Sequence, residues 1–139
     1  MIRMPGARAL AGGLTAIAVL AFATTAFAAA IQKYSGKTSQ NQPISFHTAH
    51  GYLTHLEFKI NDKCPSGQLW NIHDFHFPKL RVKQGKFQQT FKANTGKANA
   101  KIKGTVTDRQ ATGTISETRF IAKEHHYCSG SARFSIKRS

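Results

Sequence analysis

Helical periodicity, acidic side chains and long apolar runs are all scarce in this sequence. Beyond the N-terminal region, no window of useful length carries apolar residues at helical spacing, which argues against an all-α or α/β fold. The 139 residues include six Asp and Glu against 20 Lys and Arg, and only two Cys. No repeat, low-complexity segment or second domain is visible, so the length predicts one domain. The longest apolar run, residues 14–27, is shorter than the roughly 20 residues that a membrane-spanning helix needs.

That apolar run belongs to an expected secretory signal peptide. Arg3 and Arg8 supply a basic start, and Ala26-Phe27-Ala28 is a small-x-small cleavage pattern. We therefore expect residues 1–28 to be removed and residues 29–139 to form a single domain, secreted or periplasmic, with no transmembrane segment after cleavage. An uncleaved membrane anchor is the alternative. Without Arg3 and Arg8 the net charge of +14 falls to +12, a value that attracts anionic partners.

The rest of the chain is dominated by alternating, β-branched runs. Ile102, Gly104 and Val106 alternate with lysines and threonines, and a second Thr-rich run follows at residues 111–121. Two such runs joined by a short polar loop predict an antiparallel hairpin. Pro65 and Gly67 predict a loop over residues 61–67, because neither residue suits an ordinary strand.

Seven or eight short strands separated by turn signals predict an all-β domain, either an antiparallel β-sandwich or a closed barrel. The aromatic run from Leu69 to Phe77 changes its period midway. A β-bulge near Asp74 would bring its large apolar side chains onto one face.

Cys64 and Cys128 are the only cysteines. In an exported chain an isolated pair most simply forms one disulfide. It would close a loop of about 64 residues, for which chain-entropy estimates give about 4 kcal/mol. Two free thiols, or half of a metal site, are the alternatives.

Several segments taken in order resemble a loose group of small secreted bacterial proteins, common in actinobacteria and relatives, that are mostly uncharacterised. The segments are Gly36-Lys37-Thr38-Ser39-Gln40, Gly85-Lys86-Phe87, Ile102-Lys103-Gly104-Thr105, Ala111-Thr112-Gly113-Thr114-Ile115 and Cys128-Ser129-Gly130. The resemblance covers nearly all of the mature chain. It implies an exported, β-sandwich-like domain with a Cys64–Cys128 bridge, and it implies no catalytic residues.

A basic segment between residues 79 and 103 contains no acidic residue and is the strongest functional signal. If its strands are neighbours, its charges share one outer surface, and such a surface binds phosphorylated or sulfated polymers in a salt-dependent way. The alternative is a solvated face whose lysines block edge aggregation. The candidate anion-binding residues are Lys79, Arg81, Lys83, Lys86, Lys92, Lys101 and Lys103.

The expected partner is an anionic polymer or surface of the cell envelope. Teichoic acid, lipopolysaccharide, phospholipid headgroups and extracellular nucleic acid all fit this description. Nucleic acid is less well supported, because Phe87 and Phe91 lie on the parity opposite the lysines, where they suit a core better than base stacking. No known nucleic-acid-binding module is recognisable.

Seven histidines raise the question of a metal site. His73, His76 and His125 are the candidate ligands. His73 and His76 are three positions apart and point to opposite faces of a regular strand, and no spacing matches a structural zinc site. We predict no metal and no other cofactor.

The sequence therefore favours a non-catalytic binding module over an enzyme. No nucleophile elbow is present, and Asp62 and Asp108 fall in expected loops. A small extracellular hydrolase or metal-dependent protein using Asp74 with the three candidate histidines is one alternative. A protein-binding or inhibitor domain is the other.

Overall fold

Alternating apolar and polar residues produce nine β-strands in a computed structural model that describes residues 30–139. The expected signal peptide lies outside the described residues. Within 30–139, no helix is long and apolar enough to cross a membrane. The strands are β1 (Gln32–Lys37), β2 (Pro43–Ala49), β3 (Tyr52–Lys63), β4 (Leu69–Asp74), β5 (Leu80–Arg81), β6 (Lys86–Lys92), β7 (Ala98–Val106), β8 (Gln110–Ile121) and β9 (His126–Arg138).

All pairings are antiparallel, and the strands follow the hydrogen-bonded order β4-β3-β2-β1-β9-β8-β7-β6, with β5 added to β3. In the described residues, the end strands β4 and β6 do not pair with each other, so the sheet stays open. The all-β prediction is confirmed. The sheet is not a closed barrel and is consistent with a sandwich-like fold.

A single large core lies between the two halves of this sheet. Phe46 on β2 is fully buried and packs against three aromatic rings: it stacks on Tyr34 and meets Phe87 and Phe134 edge-on, with centroids 5.4–6.3 Å apart. These rings come from β1, β6 and β9, so one cluster joins distant parts of the chain. Buried aromatic groups of this kind contribute the largest apolar areas to a core.

Glycines make room for two of those rings. Gly104 and Gly113 face each other on β7 and β8. A Cβ on Gly104 would lie 2.8 Å from Phe87 Cζ, and one on Gly113 would lie 2.8 Å from Phe134 Cζ. Side chains at these positions would push both rings out of the core.

The disulfide predicted from the sequence is present, with the Cα atoms of Cys64 and Cys128 4.3 Å apart. It lies beside a short β3–β9 contact that pairs Lys63 with Ser129. Gly130 permits this contact, because a Cβ there would lie 2.3 Å from the Asn61 carbonyl oxygen. The side chain of Gln40 fills the neighbouring gap, since it accepts the Asn61 N–H and donates to the carbonyl oxygens on both strands.

Two local predictions were wrong. Strand β3 continues to Lys63, so the expected loop begins three residues later. The register between β3 and β4 runs without a shift up to Asp74, so no bulge lies there. The strand simply ends: Phe75 is exposed, and Phe77 stacks on Phe58 with centroids 5.5 Å apart.

Candidate anion-binding surface

The register of β6 to β9 places one set of side chains on the outer surface of the sheet. Because directly paired residues point to the same side, each row across the strands can be read from the pairing. One row is Lys86, Thr105, Thr112 and Ser135, and the next is Gln88, Lys103, Thr114 and Arg133. We call the outward side chains of β6–β9 the basic face. Its cations are Lys86, Lys92, Lys101, Lys103, Arg133 and Lys137.

A tight turn extends the basic face beyond its edge strand. Lys83 and Lys86 exchange two backbone hydrogen bonds of 2.9 and 3.0 Å across Gln84 and Gly85. Both turn residues have positive φ, at 53° and 73°, as a two-residue type I′ hairpin requires. The turn therefore puts Lys83 and Lys86 side by side on the same surface.

Four cations meet in a cleft at this turn, which we call the basic cleft. Its volume is about 480 Å³, and Arg81, Lys83, Lys86 and Lys103 line it together with Gln88 and Thr105. No acidic side chain lines it. Like charges gathered without counter-charges raise the local positive potential, which is reduced when an anion binds.

The seven candidate residues from the sequence divide into three groups. Arg81, Lys83, Lys86 and Lys103 line the basic cleft. Lys101 and Lys92 lie further along the basic face, opposite Thr90 and Asn99. Lys79 does not line the cleft, and its ammonium lies 4.4 Å from the centre of the Tyr52 ring. Arg133 and Lys137 were missed, because only the β8–β9 register shows that the last strand shares this face.

The acidic residues of the described chain leave these cations unpaired. Within residues 30–139, Arg119 forms ion pairs with Asp74 and Glu117, and His73 is hydrogen-bonded to Glu57. Glu124, in the turn between β8 and β9, accepts hydrogen bonds from Trp70 Nε1 and Ser66 Oγ. No outward position of β6–β9 carries a carboxylate.

A buried cluster of ionisable groups lies on the inner side of the sheet. Arg119 Nη2 donates to Asp74 Oδ1 at 2.6 Å, and Arg119 Nε donates to Glu117 Oε1 at 2.9 Å. Asp62 is fully buried beside them, and neither of its carboxylate oxygens has a hydrogen-bond partner in the described residues. The cluster joins β3 and β4 to β8.

Asp62 is held in its protonated form at neutral pH. Burial is the main cause and the neighbouring Glu117 carboxylate the next, and together they raise the pKa of Asp62 to about 8; Arg119 only partly offsets this. Asp62 and Glu117 are almost completely buried, with 0% and 2% of their surface exposed.

The candidate metal ligands are not brought together. His73 bonds Glu57 through Nε2 at 2.6 Å, His76 has a φ of 65° in the segment after β4, and His125 lies in the β8–β9 turn. Within residues 30–139, no group of three or more His, Cys, Asp or Glu side chains is placed to hold a metal ion.

A second, polar cleft of about 660 Å³ lies on the outer surface near the β3–β9 contact. It is lined by Ser116, Glu117 and Thr118 of β8, by Ser129, Gly130 and Ser131 of β9, and by Gln40, Asn61, Lys63 and Leu69. We call it the polar groove. Just beyond it, Phe120 and Tyr127 form a T-shaped pair with centroids 5.4 Å apart.

Comparison with protein-family models, with curated proteins and with solved structures finds no match for this chain.

Proposed function

We propose that this protein is a non-catalytic binding module that holds an anionic polymer or surface of the cell envelope on its basic face. The observation that carries the proposal is the basic cleft, in which Arg81, Lys83, Lys86 and Lys103 converge without an acidic partner. Exposed lysines and arginines are common on protein surfaces, so the signal is that four of them line one cleft. Four exposed cations around one cleft suit a ligand that brings several negative charges.

The proposed location is outside the cytoplasm, secreted or periplasmic. The signal-peptide pattern of residues 1–28 supports it, and so does the Cys64–Cys128 disulfide, since such bonds persist in oxidising compartments. Phosphate-rich and sulfated polymers carry condensed counterions, which are released when the cations of a basic domain bind.

The test is retention of the oxidised protein on teichoic acid, lipopolysaccharide and duplex DNA across a salt series. The variant to compare replaces the four cleft cations: Arg81→Gln, Lys83→Gln, Lys86→Gln and Lys103→Gln. If each contributes one charge contact, the slope of log affinity against log salt should decrease by about 3 to 4.

A control with the same net charge separates the cleft from bulk electrostatics. It replaces lysines outside the cleft: Lys33→Gln, Lys37→Gln, Lys59→Gln and Lys123→Gln. The proposal expects this control to retain most of the wild-type affinity and slope. Equal losses in the two quadruple variants would show that only total charge matters, and the proposal would then be wrong.

A further inference from the structure

Beyond the basic cleft, the outer surface of β8 and β9 changes in character along the strands. At the cleft end it carries Arg133 beside Thr114 and Lys103. The polar groove comes next, with the hydroxyl groups of Ser116, Ser131, Thr118 and Ser129. At the far end lies the Phe120–Tyr127 pair. Tyr127 to Arg133 spans six residues, or about 20 Å of extended strand.

The aromatic end is an exposed platform rather than part of a core. Tyr127 is 53% exposed and its ring packs only edge-on against Phe120. The Lys97 ammonium lies 5.4 Å from the centre of the Phe120 ring. An exposed amphipathic ring of this kind offers one apolar face and one polar tip to a ligand.

The middle of this surface is chemically distinct from either end. Serine and threonine hydroxyls both donate and accept hydrogen bonds. A polyphosphate or nucleic-acid backbone presents mainly acceptors, so it needs cations at each repeat. Sugar rings present hydroxyls that donate and accept, together with apolar C–H faces that lie flat on aromatic rings.

We propose that the anionic ligand is a linear polysaccharide that runs along β8 and β9. Its charged groups lie at the basic cleft and Arg133, its hydroxyls occupy the polar groove, and one sugar ring stacks on Tyr127. This inference rests on the proposed function and adds the ligand class and the direction in which the chain lies.

The experiment measures binding of the oxidised protein to a sulfated oligosaccharide, to inorganic polyphosphate and to single-stranded DNA, each at three salt concentrations. Tyr127→Ala removes the platform. Phe75→Ala is the matched control, because Phe75 is 49% exposed but lies off this surface, against His73 and His76. Thr118→Val tests the groove, because it removes one hydroxyl at nearly constant shape.

Tyr127→Ala is expected to weaken oligosaccharide binding about five- to tenfold, as loss of one aromatic contact predicts, with an unchanged salt slope. Thr118→Val should weaken it two- to fivefold, in line with one lost hydrogen bond. Polyphosphate binding should be weaker than oligosaccharide binding and should not respond to either change. Phe75→Ala should match wild type on every ligand.

Three results would overturn the inference. The first is that Tyr127→Ala and Phe75→Ala bind the oligosaccharide with equal affinity. The second is that polyphosphate binds as tightly as the oligosaccharide. Preference for single-stranded DNA with a Tyr127 effect would assign the platform to base stacking instead. In all three cases the proposed anion-binding function still stands. If none of the three probes showed salt-dependent binding, both proposals would be rejected together.

Discussion

Three carboxylates are buried in this basic protein, and their protonation is set by their neighbours rather than by the overall charge. Asp62, Asp74 and Glu117 are buried in a protein whose surface is strongly basic. One guanidinium, on Arg119, pairs with two of these carboxylates, so the third remains protonated. Buried ion pairs are costly to break, because the remaining partner is left without compensation.

Asp62 should make the protein less stable as the pH rises. Its pKa is about 8 in the folded state and near 4 when unfolded, so the unfolded chain loses this proton first. The contribution of Asp62 to the free energy of unfolding therefore decreases as the pH rises from about 4 to about 8, by up to about 1.4 kcal/mol for each pH unit. Asp62→Asn should gain stability relative to wild type over that range. Denaturant unfolding at pH 5 and pH 8 measures the difference.

Asp108→Asn is the control for this prediction, because Asp108 is exposed in the β7–β8 turn. Other groups also titrate in this range. Burial is the main cause of the lowered pKa of His47, so this residue makes the protein less stable as the pH falls. Both variants keep His47, so its effect is the same in each. If the stability difference between Asp62→Asn and wild type were the same at both pH values, Asp62 would have an ordinary pKa.

The sequence could not have identified this cluster. Asp62 follows the alternation of β3 and shares the inward parity of Ile60, yet the nearby Pro65 and Gly67 favoured a loop. Glu117 and Arg119 continue the inward parity of Ile115 on β8. A charged residue at an inward position is acceptable only when another strand supplies its partner. That partner, Asp74, lies 45 residues from Arg119 along the chain.

At the scale of elements, the turn between β5 and β6 and several strand registers assemble the candidate site. Alternation predicted the outward parity of Lys101 and Lys103 correctly, because that pattern is local. Which strands are neighbours is a long-range property. The basic cleft depends on the turn between β5 and β6, and Arg133 joins the face only through the β8–β9 pairing.

Gly85 should be more sensitive to substitution than Gly96, a second turn glycine with the same φ. Gly85 and Gly96 share a φ of 73°, but a Cβ on Gly85 would lie 2.9 Å from the Val106 carbonyl oxygen, whereas one on Gly96 meets nothing within 4 Å. Gly96→Ala should cost about 1 kcal/mol, the strain of a left-handed alanine. Gly85→Ala should cost about 2–3 kcal/mol, since the contact adds to that strain.

Chemical denaturation of both variants measures these costs, and polyanion retention shows whether the cleft is affected. Gly85→Ala should weaken retention, because the turn that aligns Lys83 with Lys86 is displaced. Gly96→Ala should bind like wild type. Equal stability and equal retention in the two variants would mean that the turn adapts without moving the cations.

At the scale of the whole molecule, the disulfide and the basic cleft lie in different parts of the sheet. The basic cleft includes Thr105, whose row across the sheet reaches Ser135 near the end of β9. Cys128 lies near the start of β9. The bridge is buried with Ile121 and packs against Trp70, so it joins β9 to the end of β3. Stability and ligand binding should therefore be separable.

Removing the disulfide should lower stability strongly and leave the cleft intact. The bridge closes a 64-residue separation, for which chain entropy predicts about 4 kcal/mol, a large share of the 5–15 kcal/mol typical of a domain. A Cys64→Ala, Cys128→Ala variant should unfold at a much lower denaturant concentration. Below its melting temperature it should retain the salt slope of wild type on duplex DNA, because the four cleft cations are undisturbed. A folded variant with a reduced slope would instead show that the crosslink positions the basic face.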